Sequence, residues 1–397
     1  MRRNVVIELV GAASGTGAQR LRLSVAIVLL GMAWSCASDV PESPRSDFDV
    51  MEKSISELAE AMESGVVTSR MLVEMYLNRI SAYDRKGPAL RAMISINASA
   101  LGRADELDAE RAMTGARGLL HGIPIVVKDN FDTADMPTTG GIIALATSVP
   151  PDDAFQIRKL REAGAIILGK TNLHELARGI TTISSFGGQT RNPYDPERNP
   201  GGSSGGTGAA VAASFGAVGM GSDTCGSIRI PSAHNALVGL RGTRGLSSRD
   251  GIIPLSHTQD IGGPLARTVS DLVAVLDVTV GRDPADDSTQ LSEGRIPDSY
   301  SEALIGDALR GARLGVLTEL VGEAAADRPV RDVIEAAIEE MRNEGAETVD
   351  LSETGLPALL EGAGLREFKF DLADYLSRTP GASVRSLGRD SEPRSIS

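Results

Sequence analysis

The chain has 397 residues, 41% hydrophobic and 23% charged, a balance that supports a sizeable core and excludes a disordered chain. Fifty-three Asp and Glu oppose 40 Lys and Arg, for a net charge of -13, and aromatic residues make up only 3%. That acidity disfavours phosphate backbones and anionic membranes, and so few rings leave little to stack on bases, so no nucleic-acid partner is expected.

The first element in chain order is an apolar run, "LSVAIVLLGMA" at residues 23–33, preceded by Arg20 and Arg22 and followed by "WSCAS". A basic start, a short apolar stretch and small residues after it form the pattern of a secretion signal, so residues 1–37 are read as an export leader and the protein as periplasmic or extracellular. Cys36 offers a second version, a lipid-anchored one, although Ala33 and Trp34 fit that motif poorly. Membrane attachment is expected only through a lipid on Cys36. A mis-assigned start codon ahead of a cytoplasmic protein is the alternative.

Residues 38–50, "SDVPESPRSDFDV", are polar with two prolines and read as a linker. From Met51 the pattern changes. Ile55, Leu58, Ala59 and Met62, then Leu72, Met75, Tyr76 and Ile80, recur at spacings of three and four, so two amphipathic helices are expected, parted near Gly65. After a charged helical stretch, "IPIVVKDN" (123–130) reads as a buried strand ending in a lone lysine. "FQIRKLREAGAIILGKTN" (155–172) gives a helix, a glycine stop and a second strand. "GAVGMGSD" (216–223) and "ARLGVLTEL" (312–320) add strands, and 265–280 and 328–344 add helices. Alternating helix and strand imply a layered α/β domain.

The run Asn199–Ser214, "NPGGSSGGTGAAVAAS", invites a phosphate-binding reading. It has neither the lysine of a Walker loop nor the G-x-G-x-x-G of a dinucleotide site, and a proline-broken loop precedes it where a strand would be needed. Serine chemistry remains. A hydroxyl needs a base, and a lysine can be one only if desolvation or nearby positive charge keeps it neutral near pH 7. Lys128, at the end of "IPIVV", is the best-placed lysine, with a lysine snorkelling from a strand end as the bland reading. In a second serine loop, "GSDTCGSIRIPSA" (221–233), small residues around Ser227 would let the N–H groups of Thr224, Cys225, Gly226 and Ser227 converge on one oxygen. Gly and Ser also mark ordinary turns. Four scattered histidines (His121, His174, His234, His257) and two cysteines, with no H-x-x-H or C-x-x-C, give no basis for a metal, and no cofactor is expected.

"GIPIVVKDN", "GAIILGKTNLHELA", "GGQTRNPYD", "NPGGSSGGTGAAVAAS", "GSDTCGSIRIPSA" and "GPLARTVSDL", arriving in that order, resemble the amidase signature family of serine hydrolases. The resemblance implies an α/β fold: one domain, a large mixed β-sheet covered on both faces by α-helices, here spanning residues 51–379. It also implies hydrolysis of a carbon–nitrogen amide bond by a Ser-cisSer-Lys triad through an acyl-enzyme. Ser227 would be the nucleophile, Ser203 the bridge after a cis bond from Gly202, and Lys128 the base. The backbone N–H groups of Thr224, Cys225, Gly226 and Ser227 would form the oxyanion hole. Asp223 and Arg229 would pair to shape that loop, Ser204 and Thr207 would complete a turn and start a helix, and His121 and His174 would be framework residues. "SRDGIIPLSHTQD" (248–260) and "EFKFDLADYLSRTPG" (367–381) look most like the peptide amidase subgroup, implying a small-molecule or peptide amide substrate, C-terminal peptide amides included.

Two departures from the family bear on activity. Cys225 stands where many members have glycine, and the chain is shorter at its C-terminal end, where residues 380–397 are polar and patternless. A truncated, inactive amidase-like protein is therefore one alternative reading. A cytoplasmic glutaminase subunit of a transfer-RNA-dependent amidotransferase is another.

Overall fold

The computed structural model describes residues 48–356, 358 and 366–385. The leader at 1–37 with Cys36, most of the 38–50 linker, and the tail beyond 385 lie outside the described residues. One compact unit begins at Phe48. No helix among the described residues is long and apolar enough to cross a membrane.

Helix α1 (Ile55–Glu63) starts at a capping box: the Ser54 side chain accepts the Glu57 N–H, and the Glu57 carboxylate reaches back to the Ser54 N–H. Its buried residues Ile55, Leu58, Ala61 and Met62 form one face. Helix α2 (Ser69–Tyr83) is capped by Thr68 and buries Leu72, Val73, Tyr76 and Ile80. The charged stretch forms α3 (Ala100–Thr114).

Six strands make the main sheet, in the order β1 (Met93–Ile96), β3 (Ile166–Thr171), β2 (Pro124–Lys128), β6 (Val218–Asp223), β8 (Ile261–Ala266) and β7 (Val238–Gly239). β2 runs parallel to both β3 and β6, while β1, β7 and β8 pair antiparallel, so the sheet is mixed as expected. Every residue of β2, β3, β6 and β8 is buried. Because alternate side chains face opposite ways, burial at every position means that both faces are covered. Burying each large aliphatic side chain in this layer contributes about 1.5–3 kcal/mol.

Helix α4 (Phe155–Glu162) leads into β3, and α5 (Gly205–Ala212), made almost wholly of Gly and Ala, packs against β2, β3, β6 and β8. Short side chains let its backbone approach the strands, which explains the composition of the glycine-rich run. The two-stranded β4 (Ile183–Ser184) and β5 (Gly188–Gln189) and the six-residue α6 (Arg229–His234) flank the site region. Beyond the main sheet, β9 (Arg313–Val316), α8 (Arg328–Asn343) and β10 (Glu347–Asp350) form a separate parallel β-α-β unit.

The helix expected over 265–280 is corrected. Its first residues belong to β8, and α7 (Val269–Thr279) begins only after Thr268, whose side chain caps it. The string Ile-Gly-Gly-Pro-Leu-Ala carries no strand signature, since Gly and Pro are poor strand formers; pairing to β6 imposes the extended form. The last described helix, α9 (Phe368–Arg378), buries Phe368, Leu372, Tyr375 and Leu376 in a cluster with Ile253 and Leu255.

Candidate active site

Lys128, Thr171 and Asp223 stand at the carboxyl ends of the three parallel strands β2, β3 and β6, the end at which open α/β sheets hold their ligands. Lys128 ends the central strand, fully buried. Its Nζ lies 2.8 Å from Ser203 Oγ, 2.9 Å from Ser222 Oγ and 3.3 Å from the Ser222 carbonyl oxygen. Burial pushes its amine down to about 7, against the weaker opposing pull of Asp223 and Asp260. A second buried lysine, Lys170, has a carboxylate 3.2 Å away, that of Asp129. Lys128 has no such ion pair among the described residues. The snorkelling alternative is excluded, because Nζ never reaches solvent.

Ser203 enters from the loop before α5, and its peptide bond to Gly202 is cis. A Cβ on Gly202 would sit 2.7 Å from the Ile180 carbonyl carbon, so only glycine fits where the loop crosses that backbone. The Ser203 carbonyl accepts the His174 N–H at 2.9 Å, and Thr182 Oγ1 donates to the Gly201 carbonyl at 2.7 Å. Residues 201–205 also satisfy the G-x-S-x-G spacing of a hydrolase elbow. The serine follows irregular backbone and not a strand, so it is no elbow.

Ser204 starts α5 as expected, at its cap position with its carbonyl accepting the Gly208 N–H at 3.0 Å, but its side chain makes no capping bond. Its hydroxyl instead donates to the Ser222 carbonyl at 3.1 Å, and its N–H donates to the Ser227 carbonyl at 3.2 Å. Thr207 bridges α5 to the sheet through Thr171 Oγ1 at 2.7 Å and the Met220 carbonyl at 3.2 Å.

The segment after β6 wraps around one carboxylate. Asp223 accepts the N–H groups of Gly226 (2.8 Å) and Ile228 (3.0 Å), the Arg229 guanidinium (3.2 Å) and Arg241 Nη1 (3.2 Å). Burial works to raise its carboxyl, but hydrogen bonds from Arg229, Ile228 and Gly226 outweigh it and hold the group below the usual carboxylate range. The pairing expected of Asp223 and Arg229 is present, with Arg241 as an additional partner.

This wrapping corrects the expected set of four donors. Gly226, whose φ of 132° suits glycine, turns its N–H onto Asp223, so it does not face an oxyanion. The N–H groups of Thr224, Cys225 and Ser227 make no hydrogen bond among the described residues. The Thr224 hydroxyl donates to the buried Asp260 at 2.5 Å. Ser227 is 6% exposed, and its hydroxyl has no partner among the described residues, Ser203 included. The Cys225 thiol is free and exposed.

Ser222, Asn130, Asp260, Arg241 and Thr182 were not singled out by the sequence reading. Ser222 accepts from Asn130 Nδ2 at 2.9 Å as well as from Lys128. It lies inside the "GSDTCGS" string, but only the pairing of β2 with β6 brings it to the lysine. His121 is a framework residue, its Nε2 2.9 Å from the Leu107 carbonyl. A cavity of about 350 Å³ lies beside this centre, walled by Asp132, Arg249, His257, Asp260, Asp371 and Tyr375 among others. Asp260 joins it to the Thr224 loop.

The amidase family model matches residues 71–395. The chain belongs to the amidase family. A probable amidase of Arabidopsis thaliana is 37% identical over 359 residues, covering 86% of this chain and 68% of the relative. A glutamyl-tRNA(Gln) amidotransferase subunit of Halorhodospira halophila is 41% identical over 312 residues, covering 77% of this chain and 63% of the relative. Among solved structures, the peptide amidase of Stenotrophomonas maltophilia superposes with a TM-score of 0.79 at 44% identity, covering 84% of this chain and 69% of that one. The chain thus spans about two thirds of the length of these amidase relatives.

Proposed function

We propose that this amidase hydrolyses carbon–nitrogen amide bonds with Ser227 as nucleophile, Ser203 as bridge and Lys128 as base. The observation that carries the reading is the buried lysine without an ion-pair partner, 2.8 Å from Ser203 Oγ. A neutral amine has two hydrogens and one lone pair. Directed at the Ser222 hydroxyl and carbonyl, the two hydrogens leave the lone pair to accept the Ser203 proton. Ser203 Oγ in turn accepts the proton of Ser227 as that hydroxyl swings from its unbonded position onto the substrate carbonyl; such contacts commonly tighten only with substrate bound. The free N–H groups of Thr224, Cys225 and Ser227 stabilise the oxyanion, and the proton returns along the relay to the departing amine. Water then cleaves the acyl-serine by the same route.

The likeness to peptide amidase favours C-terminal peptide amides as substrate. A second reading, glutamine hydrolysis, draws on the 41% identity to an amidotransferase component. Ammonia release from N-acylated peptide amides and from L-glutamine separates them. Turnover of peptide amides alone supports the first reading, turnover of glutamine alone replaces it with the second, and no release from either, by protein that still unfolds cooperatively, rejects both.

The exposed thiol of Cys225 stands between two oxyanion donors. Alkylation with iodoacetamide is expected to lower activity about tenfold or more, by crowding the site where those donors act. Cys225→Gly should keep its activity and resist the reagent. Equal inhibition of both forms would mean that the thiol does not border the site.

A further inference from the structure

Glu367 and Asp371 stand at i and i+4 at the start of α9, but His257 lies 110 residues earlier, so no spacing rule links it to them. The fold brings one ligand atom of each within 4.8 Å of the others. His257 Nδ1 is 2.9 Å from Asp371 Oδ1 and 3.5 Å from Glu367 Oε2. Nδ1 carries at most one proton, so it can satisfy only one of the two carboxylates that converge on it. A metal ion can satisfy both. Ligands about 2.0–2.2 Å from a tetrahedral zinc stand roughly 3.4 Å from each other, within the range set by these two separations.

We propose that His257, Glu367 and Asp371 form a site for a divalent transition-metal ion of the zinc type, clamping α9 to residues 255–260. One imidazole nitrogen with two carboxylate oxygens selects zinc-like ions over magnesium or calcium, which take oxygen alone. The carboxylates are already oriented from behind. Ser256 Oγ donates to Glu367 Oε2 at 2.5 Å, Thr258 Oγ1 donates to Glu367 Oε1 at 2.8 Å, and the His257 N–H donates to Asp371 Oδ2 at 2.9 Å. Outer hydrogen bonds of this kind are what hold metal ligands in register. His257 and Asp371 also wall the 350 Å³ cavity, so a fourth position would open onto it. The clamped segment continues to Asp260, which accepts both the Thr224 hydroxyl and the N–H groups of Leu255 and Ser256. Metal occupancy therefore steadies the loop that carries the oxyanion donors.

The test is calorimetric titration of the untagged, chelator-stripped full chain with zinc chloride, paired with thermal unfolding. One equivalent should bind and raise Tm by a few degrees at saturating metal. Cobalt(II) should give a visible ligand-field band. His257→Ala, at a mostly exposed ring, should fold normally and lose the heat, the Tm shift and the band. Glu367→Gln should bind at least about tenfold more weakly. Absence of stoichiometric binding by the wild type, or undiminished zinc binding by both variants, overturns the proposal. A preference for calcium over zinc overturns the ligand-type assignment.

Discussion

Ser227→Ala is expected to lower kcat/KM for amide hydrolysis by about 10⁴–10⁶-fold, the loss seen when a nucleophile acting as one unit with its base is removed. The Ser227 hydroxyl makes no hydrogen bond among the described residues, so its deletion should move stability by no more than about 0.5 kcal/mol. Activity loss without stability loss is what distinguishes a chemical role from a structural one. Ser203→Ala should also lose activity, by about 10²–10⁴-fold, the range for removal of a proton-transfer group. Its hydroxyl touches Lys128, so that variant perturbs the buried amine as well. A trapping experiment reads the intermediate directly: with hydroxylamine present, the wild type should divert the acyl group to a hydroxamate and Ser227→Ala should not. Ser227→Ala turning over at more than a hundredth of the wild-type rate would remove Ser227 from the nucleophile position.

The parts of this site that the sequence made legible are those written in one contiguous string. A β-branched run with a lysine at its end announced β2 and Lys128, because burial of "IPIVV" on both faces leaves nowhere else for the strand to go. The helix start implied for Ser204 and Thr207 is that of α5, though what the Ser204 hydroxyl does there was not legible. That hydroxyl could cap the helix or reach the sheet, and only the approach of β6 decides between them. Gly226 failed for a related reason. Its N–H was free to point at an oxyanion until Asp223, Arg229 and Arg241 closed the loop around one carboxylate. Long-range partners are invisible to spacing: Ser222 meets Lys128 through strand pairing, and Asp260 meets Thr224 at the end of the β6–β8 pair. Strand β8 was hidden by Gly262, Gly263 and Pro264, whose local preferences oppose the extended form that pairing enforces.

Lys128→Met should abolish the relay and still make the protein more stable at neutral pH and below. Its folded-state amine titrates near 7 against an ordinary value of 10.5. Above pH 10.5 the lysine is neutral folded or unfolded, and its titration has no effect on stability. Between 10.5 and 7 the unfolded chain holds a proton that the folded one lacks, so stability falls steadily as pH is lowered. Below 7 both states are charged and the penalty is complete, on the order of 5 kcal/mol. Methionine has a similar length and no charge, so it removes that penalty. It also strips the Ser203 hydroxyl of its one partner among the described residues, at about 1–3 kcal/mol for a buried group left unsatisfied, while the Ser222 hydroxyl keeps Asn130. The net gain should be about 2–4 kcal/mol at pH 6, shrinking as pH rises above 7 and reversing between about pH 8 and 10. Activity moves oppositely. Wild-type kcat/KM should climb tenfold per pH unit below 7 and level off above it, because only the neutral amine accepts the Ser203 proton. Lys128→Met should lose about 10²–10⁴-fold at pH 8 and lose that rising limb with it. Thermal unfolding of both proteins from pH 6 to 10 reads the first effect and pH–rate profiles read the second. A stability difference that does not vary with pH would mean that Lys128 titrates normally in the fold, and a rising limb that survives in the variant would place the titrating base elsewhere.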